Sequence, residues 1–175
     1  MRENGTVNPF QFADNLHRDA TEQIVELYYQ CKGYITSSNK WIPLGKAKGY
    51  TDIDVLAVNA KEVHIVSVST NLDDKSIAKL NKFFACAVDY LGKVEEYKWL
   101  SEKEVKKVLA VFTYPDKKRE KIVEEFEAHG IEMLYASQIF SYFKENLMPW
   151  RKIGLKTENP IVKTIQLVDF FMCQC

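Results

Sequence analysis

Two apolar runs, Thr51-Asp52-Ile53-Asp54-Val55-Leu56-Ala57-Val58 and Val63-His64-Ile65-Val66-Ser67-Val68-Ser69-Thr70, are separated only by Asn59-Ala60-Lys61-Glu62. A short polar turn between two strand-like runs predicts an antiparallel hairpin. Side chains alternate across a strand, so Asp52 and Asp54 share one face of the first run, and Ser67 and Ser69 share one face of the second. The hairpin therefore gathers two carboxylates and two hydroxyls at one end of a sheet whose remaining positions are built for burial.

The rest of the chain supplies helices and strands around that hairpin. From about Asp14 to Lys32, Ala20, Ile24, Leu27, Tyr28 and Cys31 recur at helical spacing, and Gly33 follows as a stop. Tyr34 to Ser38 reads as a first strand, and Asn39 to Tyr50 as a loop carrying Lys40, Lys46 and Lys48 without an acidic residue. Past the hairpin, Asp73 or Asp74 is placed to cap a helix whose core face is Ile77, Leu80, Phe83, Phe84, Ala87 and Leu91. Val105 to Phe112 reads as a buried strand beyond that helix, where a crossover gives parallel pairing. A charged helix over Lys117 to Ala128 turns Ile122, Val123 and Phe126 inward, and Gly130 ends it. Ile131 to Ala136 is a further strand, and Ser137 caps a helix through Phe143. Met148 to Glu158 is a connector containing Trp150, Arg151, Lys152 and Lys156, and Asn159-Pro160 opens a last helix through about Met172. The expectation is one α/β domain over residues 1–175, an α-β-β-β-α-β core with an αβα extension and a mixed central sheet, since 175 residues bury one good core and not two.

This order, together with the spacing from Asp54 to Ser67 and Ser69, resembles the PD-(D/E)xK, or restriction-endonuclease-like, superfamily. The likeness spans roughly residues 20 to 113 and extends to archaeal Holliday-junction resolvases and small endonucleases of that superfamily. The family places a metal-binding Asp on one strand and a Glu-x-Lys pair on the next. Here Asp54 occupies the first slot, and Ser67 and Ser69, thirteen and fifteen residues later, stand where Glu and Lys commonly fall. The resemblance implies Asp54, with Asp52 beside it, as candidate metal ligands, and Asp54, Ser67 and Ser69 as the catalytic slots. It adds Glu22 or Glu26 as counterpart of a Glu on the first helix, of which Glu22 is carried as the site residue. Both lie about 200° around the helix from Ile24, facing away from the expected core stripe.

The altered letters govern the chemistry. Mg2+ is usually held by one or two carboxylates plus phosphate and water oxygens. Neutral serine hydroxyls cannot supply the charges of a carboxylate and an ammonium. The expected outcome is a degenerate nuclease site that binds no cofactor tightly, with Mg2+ entering only if the protein is active. In that active alternative, a metal-dependent DNA endonuclease, a relocated lysine serves. Lys46, Lys48, Lys75 and Lys79 are the sources.

Composition narrows the partners. Lys plus Arg and Asp plus Glu both number 24, so no global positive field advertises nucleic acid. Binding to nucleic acid, DNA in particular, must use a local patch, expected at Lys40, Lys46, Lys48 and Arg151. A non-catalytic subunit that contacts a protein partner is the third reading. His17, His64 and His129 share no zinc-site spacing, Cys173 and Cys175 form no set of four ligands, and no glycine-rich phosphate loop occurs. The opening nine residues have no apolar run of signal length, and no membrane-spanning stretch occurs, so a cytoplasmic location is expected.

Overall fold

A computed structural model describes residues 19–43, 49–70, 76–113, 120–147 and 163–164. A five-stranded sheet in the order β1-β2-β3-β4-β5 organises them. β1 (Ile35–Pro43), β2 (Tyr50–Val58) and β3 (Glu62–Ser69) form an antiparallel meander. The 59–62 turn is held by the Asn59 side chain, whose Oδ1 accepts the Lys61 and Glu62 amides at 2.8 and 2.9 Å. β4 (Glu104–Val111) and β5 (Ile131–Tyr135) then pair in parallel, which requires the crossovers made by α2 (Ser76–Lys93) and α3 (Glu120–Ala128). The α/β architecture with a mixed, helix-flanked sheet agrees with the sequence.

Helices cover both faces. α1 (Ala20–Cys31) and α4 (Ala136–Leu147) pack on one side through Val25, Tyr28, Tyr29, Ile139 and Phe143, against Val55, Ala57, Val66, Val108 and Ala110. α2 and α3 pack on the other through Phe84, Ala87, Leu91 and Phe126, against Leu56, Val58, Ile65, Leu109 and Val111. The two-sided burial explains why β3 and β4 read as nearly continuous apolar runs. α1 starts where Asp19 accepts the Thr21 amide at 2.8 Å, and it ends at Gly33, whose φ of 83° favours glycine.

Several expectations are corrected. The segment from Asn39 onward is not all loop: β1 continues to Pro43, pairing Lys40 with Ile53 and Trp41 with Asp52, so Lys40 is a strand residue. Asn39 reads as a breaker because it is one locally, at φ 52°, yet the ladder resumes beyond it. A 3-10 helix, Glu95–Glu102, fills the stretch between α2 and β4 and packs Tyr97 and Leu100, three residues apart, against the core. α4 begins at Ala136, which puts Ser137 inside it rather than at its cap, and Gln138, the third residue of the helix, reaches back to accept the Tyr135 amide at 2.7 Å. The 148–158 connector, the bulk of the 160–172 helix and the caps at Asp73 or Asp74 lie outside the described residues.

Candidate functional site

The β2–β3 ladder covers Val55↔Val66 to Val58↔Val63. Beyond Val66, β3 continues along β4, with Ser67 opposite Leu109 and Ser69 opposite Val111. At this end of the ladder the Asp54 side chain joins the two strands. Its Oδ2 accepts the Val68 amide at 2.6 Å and the Ser67 hydroxyl at 3.2 Å. Strict alternation also fails across Asp54: Ile53 and Leu56, three residues apart, join the same α2-side core, while Val55 faces α1.

A cavity of about 240 Å³ opens there. Asp52, Asp54, Ser67 and Ser69 line it together with Thr51, and Lys79, Leu80 and Phe83 of α2 close one side. The residues that spacing brings together in the sequence thus share one concavity.

Burial is the main influence on Asp54 and raises its carboxyl from 3.8 to about 6. The Val68 amide and Ser67 hydroxyl counteract this by stabilising the anion, while the negative charges of Asp52 and Asp19 add to the rise. The site is therefore a carboxylate held away from water, near other acids, with its donors supplied by a backbone amide and a hydroxyl. Among the described residues no group of three or more His, Cys, Asp or Glu side chains is arranged to hold a metal, and Asp54 Oδ2 is already taken by two protein donors.

The remaining candidates are placed differently. Glu22 is half-buried in the first turn of α1 and is not among the residues lining the cavity. Glu26 does not face away from the fold: its carboxylate accepts from Thr36 Oγ1 at 3.1 Å and Ser38 Oγ at 3.3 Å, tying α1 to β1. The core face of α1 keeps the anticipated Leu27 and Tyr28 and widens to include Val25 and Tyr29, and Glu26, next to Val25, reaches β1. Lys40 places its ammonium 4.9 Å from the Tyr97 ring centre. Lys79 reaches the cavity, whereas Lys46, Lys48, Lys75 and Arg151 lie outside the described residues.

A second polar cluster sits where β3 and β4 begin, and side-chain spacing gives no sign of it. Buried His64 lies between the rings of Tyr29 and Tyr34, 5.2 Å from each. Its Nδ1 is 3.0 Å from the Tyr29 hydroxyl. Its Nε2 is 3.2 Å from Glu62 Oε1, within range of charge attraction but outside hydrogen-bond geometry. Tyr34 donates to Glu62 Oε1, and Lys106 Nζ lies 2.9 Å from Glu62 Oε2. The aromatic packing gives His64 a structural role.

Among the described residues no helix is long and apolar enough to cross a membrane. No protein-family model matches the chain, and no curated protein matches it. Among solved structures the chain is similar to a protein of unknown function, AF1548, at 13% identity and a TM-score of 0.48, over 69% of this chain and 64% of that one. It is also similar to VC1899 from Vibrio cholerae, at 18% identity and a TM-score of 0.46, over 87% of this chain and 39% of that one. The chain spans less than two thirds of the length of either neighbour.

Proposed function

We propose that this chain is a restriction-endonuclease-like protein with a degenerate nuclease site and that it binds nucleic acid without cutting it. The observation that carries this reading is the state of Asp54. Its carboxylate is occupied by the Val68 amide and Ser67 hydroxyl, in the arrangement where the resembled family sets a pair of carboxylates and a lysine. A nucleic-acid role rests on the resemblance and on the lysines of the 39–50 segment. Mobility shift of branched and linear duplex DNA at two salt concentrations tests it: binding that weakens with salt is expected, because lysine patches act by releasing condensed counterions. No shift even at low salt would leave the protein-interaction reading ahead.

One observation favours a second reading. Lys79 lines the cavity beside Asp54 and Asp52, so an ammonium is available there although Ser69 is neutral. In that reading the chain is a Mg2+-dependent endonuclease with a relocated lysine. Plasmid nicking that disappears in both Asp54→Ala and Lys79→Ala would establish it.

A further inference from the structure

Among the described residues, Trp41 and Tyr50 are two exposed aromatic rings that lie side by side. They lie on the paired outer end of β1 and β2, 63% and 69% exposed, with ring centres 6.4 Å apart and planes tilted by 58°. Trp99 is also exposed, but Lys103 sits 5.6 Å over its ring and its Nε1 donates to the Glu96 carbonyl at 2.8 Å. The Trp41–Tyr50 pair is held by the β-ladder, with Trp41 opposite Asp52 and Tyr50 opposite Pro43. Two mutually supporting rings on a rigid ladder lose little freedom when a flat ligand settles on them.

We infer that Trp41 and Tyr50 form a stacking platform for unpaired nucleic-acid bases. This inference rests on the nucleic-acid reading above and gives it a substrate class, single-stranded or locally melted nucleic acid. Every base has a π-face, so aromatic platforms bind single strands with little regard to sequence, provided that cations follow the phosphates. In sequence, the segment from Asn39 to Tyr50 contains Lys46 and Lys48, besides the Lys40 held over Tyr97, and no acidic residue, while Asp52 stands opposite Trp41. The platform also adjoins the cavity, because Asp52, opposite Trp41, lines it. A duplex hides its base faces, so the platform discriminates between strands that are paired and strands that are not.

The test is fluorescence anisotropy with labelled oligo(dT) and with a duplex of equal length, on the natural protein, on Trp41→Ala/Tyr50→Ala and on Trp41→Phe. Both rings are exposed, so circular dichroism and melting are expected to be unchanged. The natural protein is expected to prefer oligo(dT). The double variant should lose at least about tenfold in that affinity with duplex binding barely changed, and Trp41→Phe should retain most of it. If the natural protein binds and the double variant binds oligo(dT) equally well, or loses both ligands equally, the platform is wrong while the nucleic-acid reading stands. If the natural protein binds neither ligand, both fall. Self-association that the double variant abolishes, with oligonucleotide binding unmoved, would also overturn the inference and give the surface to a second copy of the chain.

Discussion

Asp54 and Val68 are joined by a 2.6 Å hydrogen bond in which a side-chain carboxylate takes the strand amide just beyond the end of the β2–β3 ladder. A buried amide left without a partner costs about 1–3 kcal/mol, so this carboxylate has a structural duty in addition to any chemical one. The two duties conflict, because the burial that makes Asp54 a good acceptor also makes its negative charge expensive.

The conflict gives a pH signature. Asp54 is raised from 3.8 to about 6 in the folded protein, so the native state holds a proton that the unfolded chain has released. The penalty of ionising Asp54 is absent below about pH 4, grows as the pH rises towards 6, and is constant above that. At about 1.4 kcal/mol per unit, and discounted for partial solvent access, it reaches about 2 kcal/mol. Asp54→Asn keeps an acceptor for Val68 and removes the charge. It is expected to be more stable than the natural protein at neutral pH and equal to it near pH 4. Urea denaturation at the two pH values checks this, and a variant less stable at neutral pH would contradict it.

Glu62 has the opposite sign. Lys106, then Tyr34, hold its carboxyl down at about 2 from an ordinary 4.5. Its contribution is present above pH 4.5 and is lost as the pH falls towards 2. His64 adds to the same acid limb: burial lowers its pKa below 6.5, so the unfolded chain takes up a proton first and stability begins to fall as the pH drops through 6.5. Glu62→Gln is expected to cost about 1–3 kcal/mol at neutral pH and progressively less in acid. Thermal melts from neutral to acid pH measure it, and a cost independent of pH would contradict the assigned network.

Ser67→Glu with Ser69→Lys restores the charges that the resembled family carries. Ser67 Oγ is 3.2 Å from Asp54, so a carboxylate there repels Asp54 when no cation is present. The double variant is expected to be less stable than the natural protein without metal and to recover stability on adding Mn2+, since a ligand that binds only the native state stabilises it. Calorimetric titration should detect Mn2+ binding absent from the natural protein. Correct folding with no gain in metal affinity would show that these serines are not nuclease positions.

The lysines of the 39–50 segment should separate by role. Lys40 lies over the Tyr97 ring, so Lys40→Gln is expected to lower stability by about 0.5–1 kcal/mol and to change nucleic-acid affinity little. Lys46→Gln with Lys48→Gln should weaken binding and flatten its salt dependence, by roughly one unit of slope for each phosphate that a lysine no longer neutralises. Equal effects of the two variants on the salt slope would contradict this division.

What is legible in the sequence follows from periodicity. The Asp54, Ser67 and Ser69 spacing places all three at one cavity because antiparallel pairing brings Asp54 beside Ser67, while the parallel β3–β4 step follows from the helix between them. The Val68 amide is invisible in sequence because nearly every residue carries one, and only the end of a ladder shows which amide needs a side-chain partner. Lys40 reads as a loop residue because Asn39 and the glycines that follow look like loop, whereas cross-strand pairing to β2 overrides them. Glu26 is misdirected by helical spacing because a helix with Val25, Tyr28 and Tyr29 all buried presents a broader apolar face than the single stripe expected.

The most direct test of the central claim is a time course of anisotropy with end-labelled DNA, single-stranded and duplex, mixed with the natural protein in Mg2+. Binding without cleavage predicts a rise to a steady plateau that falls when salt is added. No rise, or a rise that decays as short labelled fragments are released and that becomes steady in Asp54→Ala, would contradict it.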